Sequence, residues 1–409
     1  MRAPLRIRMI FVVLLPSVFL GATKSLPAQM VEIRDFAEFY LGLNSPPELT
    51  LKAREAGNLI HTGKEKEGSE ALEKILADVA VSNEFKATAL MMRAAIFNHQ
   101  SRVKELLKDL DRALELPGLT ANLQAGLLNT RGAVQSATGE KDKAILDFTQ
   151  TLKMKDISVK NRGKALMERG LAYGDKGRMS EASFDFTELL FLENPPVEYA
   201  AAALVKRAYI RATSNRADEA EADIGKILSM KDVPADIVAE AYTVLATVEI
   251  SRGQQTAAIE SMDKALASPA LGDLRRHQTL NNRGLTLFKI GKIAEAENDF
   301  TAIIQSKNVS PELLGTAYGF RASIRANKGN HSEAQEDLTR ILEIKGAEPS
   351  RVLDALGMRA VVRIAMGDVS GAKQDLETAL AKPGVPAETE AKLRDILHKV
   401  LLKEKGAAP

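Results

Sequence analysis

Apolar residues recur at three- and four-residue spacing in short runs along this chain, and glycines and polar turns break the runs. Leu280–Ile304, LNNRGLTLFKIGKIAEAENDFTAII, shows the unit. Leu280, Leu287 and Ile290 line one side of a first helix, Gly291 interrupts it, and Ala296 and Phe300 lie on a second. The signature returns every 38 residues. With Arg283 as position zero, an arginine also stands at Arg93, Arg131, Arg169, Arg207, Arg321 and Arg359, and Leu245 takes its place once. A period of this length marks one supersecondary unit stacked on itself.

Position +8 is glycine at Gly63, Gly139, Gly177, Gly253, Gly291, Gly329 and Gly367, with Ser101 and Asn215 as exceptions. A left-handed residue there ends the first helix. Position +13 is alanine from Ala144 to Ala372, and a small residue also follows each arginine, so the two helices can approach closely. Position +17 is bulky (Leu110, Phe148, Phe186, Ile224, Met262, Phe300, Leu338, Leu376) and fills the space between repeats. The pattern predicts an all-α fold, an α-solenoid of antiparallel helix pairs over residues 45–385.

The arginine column has a partner at +16. It predicts intra-repeat pairs Arg93–Asp109, Arg131–Asp147, Arg169–Asp185, Arg207–Asp223, Arg283–Asp299, Arg321–Asp337 and Arg359–Asp375, each joining the first helix to the second. The repeat with Leu245 also lacks the acid, having Ser261. In the first repeat Glu55 stands at the arginine position. A three-residue insertion would then bring Lys74 to the acid position, as a charge swap. A charged pair present in every repeat is architecture, because an active site needs one copy.

At these residues the chain resembles the tetratricopeptide repeat family, whose pattern has a Gly-led pair in the first helix and Ala-x3-Phe in the second. Ala144…Phe148, Ala182…Phe186 and Ala296…Phe300 match as written, and nine tandem repeats carry the likeness. The period departs from the family's 34, and arginine replaces an apolar residue before the glycine. The resemblance implies a right-handed superhelix whose first helices line a concave groove for a protein or extended peptide. Carried over, the groove positions are −2, +2 and +5. They place Asn129, Thr243 and Asn281 at −2, Leu171, Tyr209, Thr247 and Leu285 at +2, and Phe288 at +5. The alternative is that these residues pack between repeats. The Lys and Asn set of the family's carboxylate-clamp members is missing at these positions.

The chain ends add a compartment. Arg2, Arg6 and Arg8 precede the apolar run Met9–Leu20, and small residues offer cleavage after Ala22 or Ala28, so residues 1–28 read as an export signal. An apolar run of this length, interrupted by Pro16, is too short to span a bilayer, and an uncleaved anchor is the competing reading. Residues 29–44, with Ile33, Phe36, Phe39, Tyr40 and Leu41, form either a helical cap or a partner-binding segment. Residues 386–405 are expected to be a capping helix with a polar outer face, and 406–409 a tail.

Composition then narrows the chemistry. The full chain has a net charge of +2, but residues 1–28 hold four basic residues and no acid, so the remainder carries −2. No basic tract is left to release counterions from nucleic acid. There is no cysteine, which excludes disulfides, thiol nucleophiles and a lipidated cysteine. Of the five histidines, His61 and His99 share position +6 in neighbouring repeats, but no acid or third histidine is spaced to complete a metal site. No phosphate loop, nucleophile elbow or dinucleotide fingerprint is present. The sequence therefore predicts a non-catalytic scaffold without cofactor, exported to the periplasm or the medium, that binds a protein or peptide. The alternatives are a structural or self-associating envelope component, or an accessory to polysaccharide export. Oligomeric state is left open. N-terminal sequencing of the exported protein is expected to read from Thr23 or Gln29, and a membrane-retained chain beginning at Met1 would support the anchor instead.

Overall fold

The computed structural model describes residues 47–404. The signal read at residues 1–28, the segment 29–44 and the tail 406–409 lie outside the described residues. Within them nineteen helices follow as nine antiparallel pairs and a closing helix. They divide between Ile237 and Val238 into two compact units.

The N-terminal unit holds α1 (Pro47–His61) with α2 (Glu65–Ala77), α3 (Asn83–His99) with α4 (Val103–Leu114), and α5 (Ala121–Ala137) with α6 (Lys141–Lys153). It continues with α7 (Val159–Asp175) and α8 (Met179–Leu190), then α9 (Val197–Thr213) and α10 (Ala217–Ser229). The boundary falls in the first turn of α11 (Ala235–Ser251), which pairs with α12 (Gln255–Ala267). The C-terminal unit goes on with α13 (Asp273–Lys289) and α14 (Ile293–Gln305), α15 (Pro311–Asn327) and α16 (His331–Glu343), and α17 (Pro349–Met366) with α18 (Val369–Leu380). The last helix, α19 (Ala387–Glu404), buries Leu393 and Val400 against the preceding pair.

Local chemistry sets the helix limits. Ser82, Ser158 and Ser310 cap α3, α7 and α15 by accepting from the backbone N–H three residues on. Pro311 and Pro349 sit in the first turn of α15 and α17, where a missing N–H costs nothing. The +8 glycines have φ between 73° and 89°, and Ser101 and Asn215 adopt the same left-handed conformation at 59°. The turn between pairs has a second left-handed column at +25, formed by Gly118, Asp156, Asn194, Asp232, Asn308, Gly346 and Gly384. Asn, Asp and Gly tolerate that backbone best, so this column was also readable in the chain.

The core is matched position by position. Phe148, Phe186 and Phe300 are fully buried, and each ring lies against the glycine after the arginine of its own repeat. A Cβ on Gly132, Gly170 or Gly284 would meet that ring at 2.8, 2.7 or 3.0 Å. Where +17 is smaller, +1 is alanine: Ala56 with Leu72, Ala94 with Leu110, Ala208 with Ile224, Ala246 with Met262, Ala322 with Leu338, and Ala360 with Leu376. The summed volume stays nearly constant, as a close-packed interior requires.

The first pair corrects the insertion expected there. α2 starts at Glu65 and α4 at Val103, a full period apart, so no residues are inserted. The acid position is Ala71, Leu72 enters the core, and Lys74 is exposed. Glu55 and Lys74 are therefore not a reversed pair. Gly68 at the alanine column obscured the register; a Cβ there would meet the Ala56 carbonyl oxygen at 2.5 Å.

This matching predicts compensation. Gly170→Ala should cost about 1–3 kcal/mol by overpacking, and Phe186→Leu should destabilise by leaving a void. The double variant, which copies the Ala–Leu solution of other repeats, should lose clearly less than the sum. Urea unfolding of the four proteins measures this, and additive losses would contradict it.

Candidate functional site

The arginine and aspartate columns meet. In all seven pairs the arginine Nε donates to Asp Oδ2 at 2.6–3.0 Å and Nη2 donates to Oδ1 at 2.6–2.7 Å. These are bidentate forks between planar groups. The aspartates are buried, Asp185 and Asp223 to 1% exposure. Burial pushes the Asp185 carboxyl upward, and the Arg169 guanidinium opposes that shift.

The remaining nitrogen of each arginine reaches further than the paired columns suggested. Nη1 donates back to the second helix of the preceding pair: Arg93 to Glu73, Arg131 to Asp111, Arg169 to Thr149, and Arg207 to Thr187. In the C-terminal unit the same step joins Arg283 to Asp263, Arg321 to Thr301 and Arg359 to Thr339. One guanidinium thus ties three helices. Glu73 also accepts from Arg112, and the two arginines hold its carboxyl down to about 2. Its ion pair therefore persists at ordinary pH and is lost only as pH falls through that value. Where a second arginine stands at +4, it joins the same carboxylate: Arg211 on Asp223 at 2.6 Å, Arg325 on Asp337 at 3.0 Å, and Arg363 on Asp375 at 2.9 Å.

The carried-over groove residues separate into two groups. Asn129 is 1% exposed and donates through Nδ2 to the Asn161 carbonyl of the next pair at 2.9 Å. Asn281 and Leu171 are also buried, Leu171 in a cluster with Met167 and Phe186. These three serve packing: most of the −2 row is closed, and the +2 row is closed at Ala133, Leu171 and Ser323. From Ala125 to Ser136 of α5, every residue except Arg131 is buried. Tyr209, Thr243, Thr247, Leu285 and Phe288 are half-buried instead. Thr243 donates to the Glu240 carbonyl and Thr247 to the Thr243 carbonyl, and Phe288 meets Phe320 edge to face at 5.7 Å. Ile250, one turn on from Thr247, is exposed.

His61 and His99 lie beside each other, ring centroids 5.6 Å apart and nearly perpendicular. Among the described residues no group of three His, Asp or Glu side chains gathers to hold a metal, and no helix is long and apolar enough to cross a membrane.

No protein-family model matches the chain, and no curated protein does. Similar solved structures exist. The apo form of RapI is 13% identical, covers 85% of this chain and 98% of its own, and superposes with a TM-score of 0.53. A tetratricopeptide repeat protein from Parabacteroides merdae is 16% identical, covering 77% and 98% at a TM-score of 0.39. A human IFIT1 dimer with PPP-AAAA is 15% identical, covering 92% and 86% at 0.45. With its tandem helix pairs, the chain has a tetratricopeptide-like α-solenoid fold.

The clamp can be tested with the chain's own exception. Arg169→Leu alone should cost about 3 kcal/mol, because it strands a buried carboxylate. Asp185→Ser in addition, copying Leu245 and Ser261, should recover a large part of that loss. A double-mutant cycle by denaturant unfolding reads the coupling, and a value near zero would refute the clamp.

Proposed function

We propose that this protein is an exported, non-catalytic scaffold of the cell envelope that holds another protein or an extended peptide. The binding surface in this reading is the inner row of α11 and α13 in the C-terminal unit. The observation that carries it is the partial exposure of Thr243, Thr247, Ile250, Leu285 and Phe288, where the corresponding row of α5 is closed. Leucine, isoleucine and phenylalanine supply apolar anchors. Threonine hydroxyls can bond a peptide backbone. Export rests on the basic and apolar pattern of residues 1–28. A net charge of −2 beyond that segment supports a protein partner over nucleic acid.

The test is affinity capture from a native envelope extract, comparing residues 29–409 with the same chain carrying Thr247→Lys and Ile250→Lys. These exposed or half-exposed substitutions should leave the melting temperature within a few degrees of the parent. Loss of a specific captured protein is the expected result. Equal capture by both chains would overturn the inner-row reading, and recovery of only the chain itself would favour self-association.

A further inference from the structure

The repeats act as controls for one another, and one outer face departs from the rest. On every second helix, +13, +16, +17 and +20 point inward, while +15 and +22 face solvent. Position +15 is polar or small in most pairs: Glu70, Lys108, Ala222, Glu260, Asn298, Glu336 and Gln374. The exceptions are Leu146 and Phe184. Position +22 is likewise polar or small except at Phe191. The fold therefore does not require large apolar groups at these places, yet Phe184 is 60% and Phe191 80% exposed. They stand seven residues apart, Phe184 on α8 and Phe191 at the position that caps its C-terminus, about 10 Å from each other along the axis. Glu188 lies between them and Glu193 just beyond, both exposed, and no cation holds either of them among the described residues.

We infer that the outer face of α8 is a docking site for an amphipathic basic helix. Such a helix presents apolar residues at three-, four- and seven-residue spacing to Phe184 and Phe191, and lysines or arginines beside them to Glu188 and Glu193. Two rings in solvent give the partner apolar area to cover, and the acids set its charge and orientation. The charge also selects against a second copy of the same face. Two such faces meeting antiparallel about a twofold axis, Phe184 of one against Phe191 of the other, would bring Glu188 against its own counterpart, a like-charge contact that disfavours association. The site is on a different helix, in the other compact unit, and shares no residue with the row of α11 and α13, so it stands or falls independently of that reading.

The probe is a fluorescent peptide about five turns long made of leucine and lysine in helical pattern, with a leucine and glutamate peptide of the same pattern as its counterpart. Anisotropy titrations use residues 29–409 and the variant Phe184→Ser with Phe191→Ser. Both positions are exposed, so the variant should keep its circular dichroism and melting temperature. The expected result is binding of the lysine peptide that weakens with salt, falls about tenfold or more in the variant, and is not seen with the glutamate peptide. Failure of the lysine peptide to bind, equal binding by both peptides, or unchanged binding by the variant would each overturn the assignment. A concentration-dependent mass in sedimentation that the variant abolishes would also overturn it and give the face to a second copy.

Discussion

A buried aspartate in seven of the nine helix pairs is the constraint on which the array depends. Removing a carboxylate from water costs several kcal/mol unless a well-placed cation answers it. The guanidinium does so with two parallel bonds, and its planar shape leaves a third nitrogen free to reach the preceding pair. A lysine in the same place would give a point charge and one such contact. The clamp thus sets the angle inside a pair and the stacking of one pair on the next. Threonine, aspartate or glutamate can serve as the third acceptor, since the stacking needs only an oxygen at that place.

The apolar core follows the same economy. Helix approach is limited by the residue after the arginine, and ring or branched side chain at +17 is chosen to suit it. Glycine takes phenylalanine, and alanine takes leucine, isoleucine or methionine. Six alanine and three glycine repeats reach one packing density by two routes. This is why the scaffold can vary its outer and inner faces without disturbing the interior, and why an apolar residue such as Phe191 on the outside stands out.

Much of the fold was legible because the contacts that define a pair are short-range. Arg169 and Asp185 are sixteen residues apart and recur in fixed register, so chain spacing alone pairs them. The third acceptor left a trace as well. In its column Gly225 is the one residue with no side chain, and the following repeat is the one with Leu245. Register in the first pair was misread because Gly68 replaces the alanine that marks the second helix.

The sequence by itself determined the period, the helix limits, the turns and the ionic pairing, since each depends on backbone conformation or on partners within one hairpin. Only the tertiary structure decided which side of a first helix stays open. Asn129 and Asn281 have the residue type suited to hold a peptide, but the stacking of the next pair closes over them. Thr247, Leu285 and Phe288 remain partly uncovered. That outcome depends on how closely successive hairpins approach, a distance set by many side chains from several repeats at once.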